Sequence, residues 1–473
     1  MLDGTDGAPA HPRPAAGPAR GARDLTSGPI TRTLILFALP TLASNILQSL
    51  NGSINSIWVG RFLGEGALAA TANANVIMFL AFAAIFGFGM ASTVLIGQAA
   101  GRRDMDVARR AFGSALGFTT GVALITGIVG WFATPAILHA LATPDSAFIL
   151  ARDYLRVSFI AIPASMISVM VAMGLRGVGD SVTPLKFMIL SVVLDIILNP
   201  LLILGLGPFP RLGIAGSALS TAIAGTVSLI AMIAYIYIKD LSLRLRGHEL
   251  AYLRPRPQDL RFILKKGLPM GAQMLIISAA GLVMVGLINR EGLITSAAYG
   301  ATMQLWGYIQ MPALAISAGV SAMVAQNIGA GLWKKVGRIT ASGIGINLVM
   351  TGALIAILLL FDRPALGLFL GSDSPAVEVA RHIQYLASWS FLMFGVTMVL
   401  FGAMRANGVV IAPLIILAFT LYPVRLGVYS LFYPLIGADA IWISFPISMG
   451  VSMLLAGAVY RFGSWKNQHI VTA

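Results

Sequence analysis

The chain has 473 residues, 57% hydrophobic and only 11% charged, with a mean hydropathy of +0.85. Soluble globular chains carry roughly 25% charged residues, so a water-soluble fold is excluded, and lipid is the solvent that suits this much apolar surface. The net charge is +14 and cysteine is absent, which excludes disulfides and thiolate metal sites.

The first 28 residues are rich in Ala, Pro, Gly and Arg. Such a segment cannot bury a core, and residues 1–28 are expected to form a disordered cytoplasmic tail. Apolar runs of about 20 residues, enough to cross ~30 Å of hydrocarbon as helix, then follow near 33–58, 67–98, 111–137, 153–175, 183–206 and 213–238. A basic stretch at 241–257 (LSLRLRGHELAYLRPRP) ends in Pro-x-Pro and reads as an interfacial cytoplasmic linker. Six more runs follow near 261–288, 293–326, 338–361, 382–404, 409–433 and 438–460. The sequence therefore predicts an all-α polytopic membrane protein with twelve transmembrane helices. Residues 29–240 form the first six-helix lobe, 258–465 the second, and 466–473 a short tail.

If the segments alternate with the N-terminus inside, inner segments hold 24 of the 32 Lys and Arg, and outer segments hold seven. Lys and Arg resist translocation, so both termini are expected in the cytoplasm and the protein in the plasma (inner) membrane. The same asymmetry accounts for the net charge without nucleic acid. No phosphate-binding loop, serine-hydrolase elbow or zinc-protease motif occurs, so neither an enzyme nor a metal centre is expected.

The halves repeat. Leu39-Pro40 recurs as Leu268-Pro269, Gln98-x-x-Gly101 as Gln326-x-x-Gly329, and Arg176–Pro184 (RGVGDSVTP) as Arg405–Pro413 (RANGVVIAP), each 228 or 229 residues on. Six helices per half is an even number, so the halves share one orientation and form a parallel repeat. Transporters built this way bind substrate between the halves and rock them.

Among the acids, Asp195 alone falls in the middle of an apolar run, ~18 Å into the fifth helix. A charge there costs about 2.5–3.5 kcal/mol on insertion scales, which marks a functional, cavity-facing group. Burial disfavours the charged form of a carboxyl, so the group can take a proton from one side and yield it to the other. Asn199 lies one turn further on the same face, and Pro200 follows it. In the first helix Ser44, Gln48, Asn51 and Asn55 form one polar stripe, read here as cavity lining near Asp195. Arg425 is the other intramembrane charge. It lies one residue from the repeat partner of Asp195, and either snorkelling or pairing with a carboxylate would account for it. On the eighth helix Met303, Trp306, Tyr308 and Met311 are candidate substrate contacts, because Met and aromatic faces suit bulky cations.

Several stretches carry a family resemblance. GVSAMVAQNIGAG (Gly319–Gly331), IGQAAGRRD (Ile96–Asp104), LRGVGDSVTPL (Leu175–Leu185), LFALP and SINSIWVG (Ser53–Gly60) resemble the multidrug and toxic compound extrusion (MATE) family from about residue 30 to 465. The resemblance implies a V-shaped twelve-helix antiporter that exports organic, often cationic, compounds against a proton or sodium gradient. It fits best the DinF-like branch, whose acids lie in the N-terminal half. It also implies that Thr221 joins the Asp195 network and that Pro40 is a hinge about which the first helix bends. Two departures stand out: Asn55 replaces a common Asp, and Asp195-x-x-x-Asn199 replaces Asn-x-x-x-Asp. The acids of the sodium-linked branch in helices seven and ten are missing, although Asp195, Asn199 and Asn55 still offer oxygens to sodium. The expectation is a monomeric antiporter that trades amphipathic or cationic organic compounds for protons, without any bound cofactor. A flippase or exporter of a lipid-linked or amphiphilic metabolite is the second reading, and a non-transporting membrane scaffold the third.

Overall fold

The computed structural model describes residues 23–140, 143, 145–371 and 373–467. The tail segments 1–22 and 468–473 lie outside the described residues. The described chain is helical throughout, 87% of it in helices with no strand. Its helices are α1 (Ile30–Leu63), α2 (Glu65–Gly101), α3 (Met105–Ala140), α4 (Asp145–Gly177), α5 (Val182–Leu204) and α6 (Ile214–Ile238). The second half contains α7 (Pro257–Asn289), α8 (Leu293–Gly329), α9 (Trp333–Leu360), α10 (Asp362–Leu370), α11 (Ala376–Ala387), α12 (Ser390–Arg405), α13 (Ile411–Phe419), α14 (Arg425–Ile436) and α15 (Asp439–Phe462). Eleven spans among the described residues are long and apolar enough to cross a bilayer. They become twelve when α11 and α12, bent by 45° at a short break, count as one.

The helices outrun the apolar runs that announce them, because helical hydrogen bonding continues into polar ends such as Ile30–Arg32 and Gln326–Gly329. Two spans depart from simple helices. The tenth breaks at Ser388 and Trp389, where Phe391 and Leu392 donate three residues back in tight turns. The eleventh carries a π-turn at Thr420–Val424 around Pro423. Proline has no N–H to continue the ladder, and the wider turn takes up one extra residue.

Each lobe uses the same pairings. In the first, α4 packs on α2, α3 and α6, α5 on α6, and α1 on α5. In the second, α12 packs on α8, α9 and α15, α14 on α15, and α13 on α7. The lobes join through α2 with α7 and α8, and through α1 with α8. Their side-chain hydrogen bonds cluster at the end that bears the basic loops. There Gln98 Nε2 donates to the Ala406 carbonyl (2.8 Å) and Gln326 Nε2 to the Gly177 carbonyl (3.0 Å). Residues 177 and 406 are 229 apart, so the sequence repeat is a reciprocal clasp in space. Beside it, a Cβ on Gly101 would overlap the Gln326 carbonyl, and one on Gly329 would overlap the Gln98 carbonyl. Only glycine lets the backbones approach so closely.

Two segments are more ordered than composition suggests. Residues 23–28 were expected to belong to the disordered tail. Instead Leu25 is fully buried, its N–H donates to Gln326 Oε1 (3.1 Å), and its carbonyl accepts from Asn327 Nδ2 (3.0 Å). One apolar side chain and two backbone partners suffice to fix a short segment in a groove between the lobes. The linker also packs. Leu241, Leu243 and Leu245 are buried, and Arg109 binds Glu249 (3.0 Å) and the Ser242 carbonyl (2.9 Å). Arg246, with Arg244, holds the Asp240 carboxyl below the usual carboxylate range.

Candidate ion-coupling site

In α5, Val192, Asp195, Asn199 and Leu202 share a buried face, whereas Ile189, Val193 and Ile197 are exposed. The exposed apolar stripe suits lipid, which leaves Asp195 facing the bundle. Counting from Val182 at 1.5 Å per residue, Asp195 lies about 20 Å along the helix, near mid-depth. Its side chain is 1% exposed.

Four neighbours donate to it. Oδ2 accepts from Asn51 Nδ2 (2.9 Å), Asn55 Nδ2 (3.1 Å) and Thr221 Oγ1 (3.1 Å). Oδ1 accepts from Ser220 Oγ (2.5 Å) and lies 3.3 Å from Thr221 Oγ1. Asn199 Nδ2 donates to Asn55 Oδ1, closing the cluster between α1, α5 and α6. The chemistry differs between the two oxygens. Amide N–H groups can only donate, whereas a hydroxyl donates or accepts. A proton can therefore settle on Oδ1 once a hydroxyl turns round, while the amides keep Oδ2 as an acceptor. Two amide oxygens, Asn51 Oδ1 and Asn199 Oδ1, have no partner.

The structure unites Asp195, Asn199, Asn51, Asn55 and Thr221. It does not bring the rest of the polar stripe into this cluster. Ser44 is buried, but its hydroxyl turns back to the Pro40 carbonyl (2.9 Å), because a serine within a helix readily bonds the carbonyl one turn back. Gln48 is exposed and makes no bond to the cluster. Ser220, the nearest donor to the carboxylate, was not anticipated. Its signal was the Ser217-x-x-Ser220-Thr221 run in the Ala- and Gly-rich first half of α6.

On α8, Met303 and Tyr308 are exposed and Met311 half-buried. Trp306 is not a cavity group. It is 4% exposed, donates to Ser388 Oγ (3.0 Å) and packs edge-on against Tyr299 and Phe391 within the second lobe. The indole N–H finds its partner at the α11–α12 break, which anchors the ring inside.

Pro40 lies where α1 passes from one lobe to the other. Leu34, Phe37 and Ala38 belong to a core built mainly from the second lobe, whereas Asn51 and Asn55 bind α5 of the first. Arg425 is buried at mid-depth. Its Nε donates to Ser448 Oγ (3.0 Å) and its guanidinium lies 4.5 Å from the centre of the Phe445 ring. Because the π-turn absorbs one residue, Arg425 takes the register position of Asp195 in the other half.

Two like-oriented helical lobes, clasped at one end and carrying a caged acid at mid-depth, define a multi-pass membrane transporter rather than an enzyme. The chain belongs to the MatE family. That family's profile matches residues 40–201 and again 269–429, so the two matched segments reproduce the internal repeat. The chain is 32% identical to the Probable multidrug resistance protein YoeA of Bacillus subtilis (strain 168), over 93% of this chain and 95% of that one. It is 27% identical to the FAD transporter of Shewanella oneidensis, over 75% and 77%. A crystal structure of MATE in complex with MaL6 superposes with a TM-score of 0.86 at 20% identity, covering 95% of this chain and 99% of that chain. The V-shaped fold is therefore that of MATE transporters.

Proposed function

We propose that the chain is a proton-coupled antiporter of the plasma (inner) membrane, working as a monomer with its basic end in the cytoplasm. In this reading it exports amphipathic or cationic organic compounds, as the resemblance to a probable multidrug resistance protein suggests. Asp195 in its cage of donors carries the reading and fits the DinF-like branch. A proton entering from outside sits on Asp195 Oδ1 as Ser220 or Thr221 reverses its hydroxyl. The neutral carboxyl then holds Asn51 and Asn55 less strongly, since hydrogen bonds to an ionised acceptor are about twice as strong as neutral ones. The second half of α1 loosens from α5 while its first half stays packed in the other lobe, and the bend falls at Pro40. Substrate leaves, and the return stroke delivers the proton inside.

The unpaired oxygens of Asn51 and Asn199 favour one second reading. With the two carboxylate oxygens they offer four oxygens to a hard cation, and sodium is such a cation. Resemblance to an FAD transporter likewise keeps an amphiphilic metabolite as an alternative cargo.

Reconstitution into proteoliposomes with pH and sodium gradients imposed separately tests the proposal. A pH gradient alone should drive efflux, and Asp195→Asn should reduce it to background with normal folding. Efflux driven by sodium alone would replace the proton reading, and unchanged efflux in D195N would overturn the coupling role.

A further inference from the structure

Arg425 is a charge that the coupling chemistry above does not use. It sits about 21 Å from the start of α13, near mid-depth, and is 6% exposed. Ser448 takes its Nε, and no described residue bonds to its two terminal nitrogens. The second-half acids that have a bonded partner are engaged elsewhere: Asp259 with Ser114, Glu291 with Tyr433, Asp362 and Glu378 with Arg363 and Arg381, and Asp439 with His382, while Asp373 is exposed in the loop before α11. An arginine in the bilayer interior ordinarily pairs or marks a pathway. This one keeps four N–H donors unspent.

Its guanidinium carbon lies over the Phe445 ring, and Tyr299 lies beside the same ring with centroids 6.5 Å apart. A ring is no hydrogen-bond acceptor of the ordinary kind, so the terminal N–H groups stay free, and their fork matches the two oxygens of a carboxylate or phosphate. In the first lobe the register position holds Asp195 beside Ser220 and Thr221. In the second it holds Arg425 beside Phe445 and Ser448. The repeat is kept, with the charge reversed and a ring in place of a hydroxyl.

We propose that Arg425, supported by Ser448 and Phe445, is a substrate subsite for the oxyanion of an aromatic amphiphile, a carboxylate or a phosphate ester. The proposal rests on the reading of the chain as an exporter of organic amphiphiles. A transporter that carries both this subsite and Asp195 would accept anionic and zwitterionic compounds as well as cations.

The test uses the purified full-length protein and two probes on one xanthene scaffold, fluorescein as the carboxylate and rhodamine 6G as the cation. A second pair, 4-methylumbelliferyl phosphate and uncharged 4-methylumbelliferone, reports on phosphate. Wild type should bind at least one anion saturably. Arg425→Gln should weaken that anion roughly tenfold or more, with R425K between, because lysine keeps the charge but loses the fork. Rhodamine 6G affinity should change less than about twofold if the two charges serve separate subsites. Loss confined to fluorescein or to the phosphate ester names the oxyanion. Wild type that binds neither anion, or R425K and R425Q that bind both as wild type does, overturns the subsite. Rhodamine 6G efflux by wild type would leave the exporter reading standing in either case. If R425Q does not fold, R425K together with Ser448→Ala carries the test, since S448A removes the one side-chain bond that orients the fork. Unaltered anion binding in both would overturn the proposal.

Discussion

The clasp between the lobes and the mid-depth positions within them descend from the same sequence repeat, yet they have diverged to different degrees. At the basic end the halves remain interchangeable: Gln98 reaches Ala406 as Gln326 reaches Gly177, and Gly101 faces Gln326 as Gly329 faces Gln98. Half-way along, the halves are opposites, an acid caged by hydroxyls and amides against a base set over an aromatic ring. Where the two lobes only have to meet and separate, one solution serves both. Where ligand and ion are bound, each lobe has its own chemistry. Symmetry retained therefore marks mechanics, and symmetry broken marks specificity.

The largest effect is expected at the clasp. Gly101→Val and Gly329→Val each push a branched side chain into a facing carbonyl that belongs to rigid backbone. Overpacking an ordinary core costs about 1–3 kcal/mol, and a clash with backbone should reach the upper end or beyond. Thermal unfolding of the purified protein should show large and similar losses for the two variants. A marked destabilisation by one alone would break the claimed equivalence.

At mid-depth the halves should respond differently. Ser220→Ala removes a donor that favours the ionised carboxylate. A hydrogen bond to a charged group is worth about 1.5–3 kcal/mol, so efflux of a cation driven by a pH gradient should fall roughly tenfold in this variant. Ser448→Ala leaves the cage of the acid untouched and should change that efflux less than about twofold. If both variants lose cation efflux alike, the two positions are not functionally distinct. If neither does, Ser220 is a packing residue.

Much of this comparison was legible before any coordinates. A lone acid in an apolar run is expensive, and that cost singled out Asp195. The fixed spacing between Gln98-x-x-Gly101 and Gln326-x-x-Gly329 disclosed the repeat, and even helix counts gave its orientation. What escaped was whatever depends on the direction of a side chain rather than its spacing. Ser44 shares a stripe with Asn51 but bonds to its own helix, and Trp306 turns inward because its indole meets Ser388. The register of Arg425 was off by one because a π-turn adds a residue without altering the hydropathy, although Pro423 marks the place. Leu25 was hidden by composition, since the Ala- and Pro-rich stretch before it conceals a short segment that docks.

The smallest and sharpest test returns to the clasp. Gln98→Ala and Gln326→Ala each delete one buried amide and strand one carbonyl, of Ala406 or Gly177. A typical hydrogen bond contributes about 1 kcal/mol, and an orphaned buried partner adds to the loss. Each variant should therefore lower stability by roughly 1–3 kcal/mol. The two need not match, because Gln326 carries an extra role that Gln98 lacks: its Oε1 accepts from the Leu25 N–H. Gln326→Ala should cost more and should free residues 23–28, measurable as faster amide exchange there. Gln98→Ala should leave that segment protected. Because the glutamines bond to different carbonyls, the double variant should be close to additive. Strong coupling would mean that the two halves of the clasp open as one unit, and the seam would then be a single cooperative latch rather than two equivalent ties.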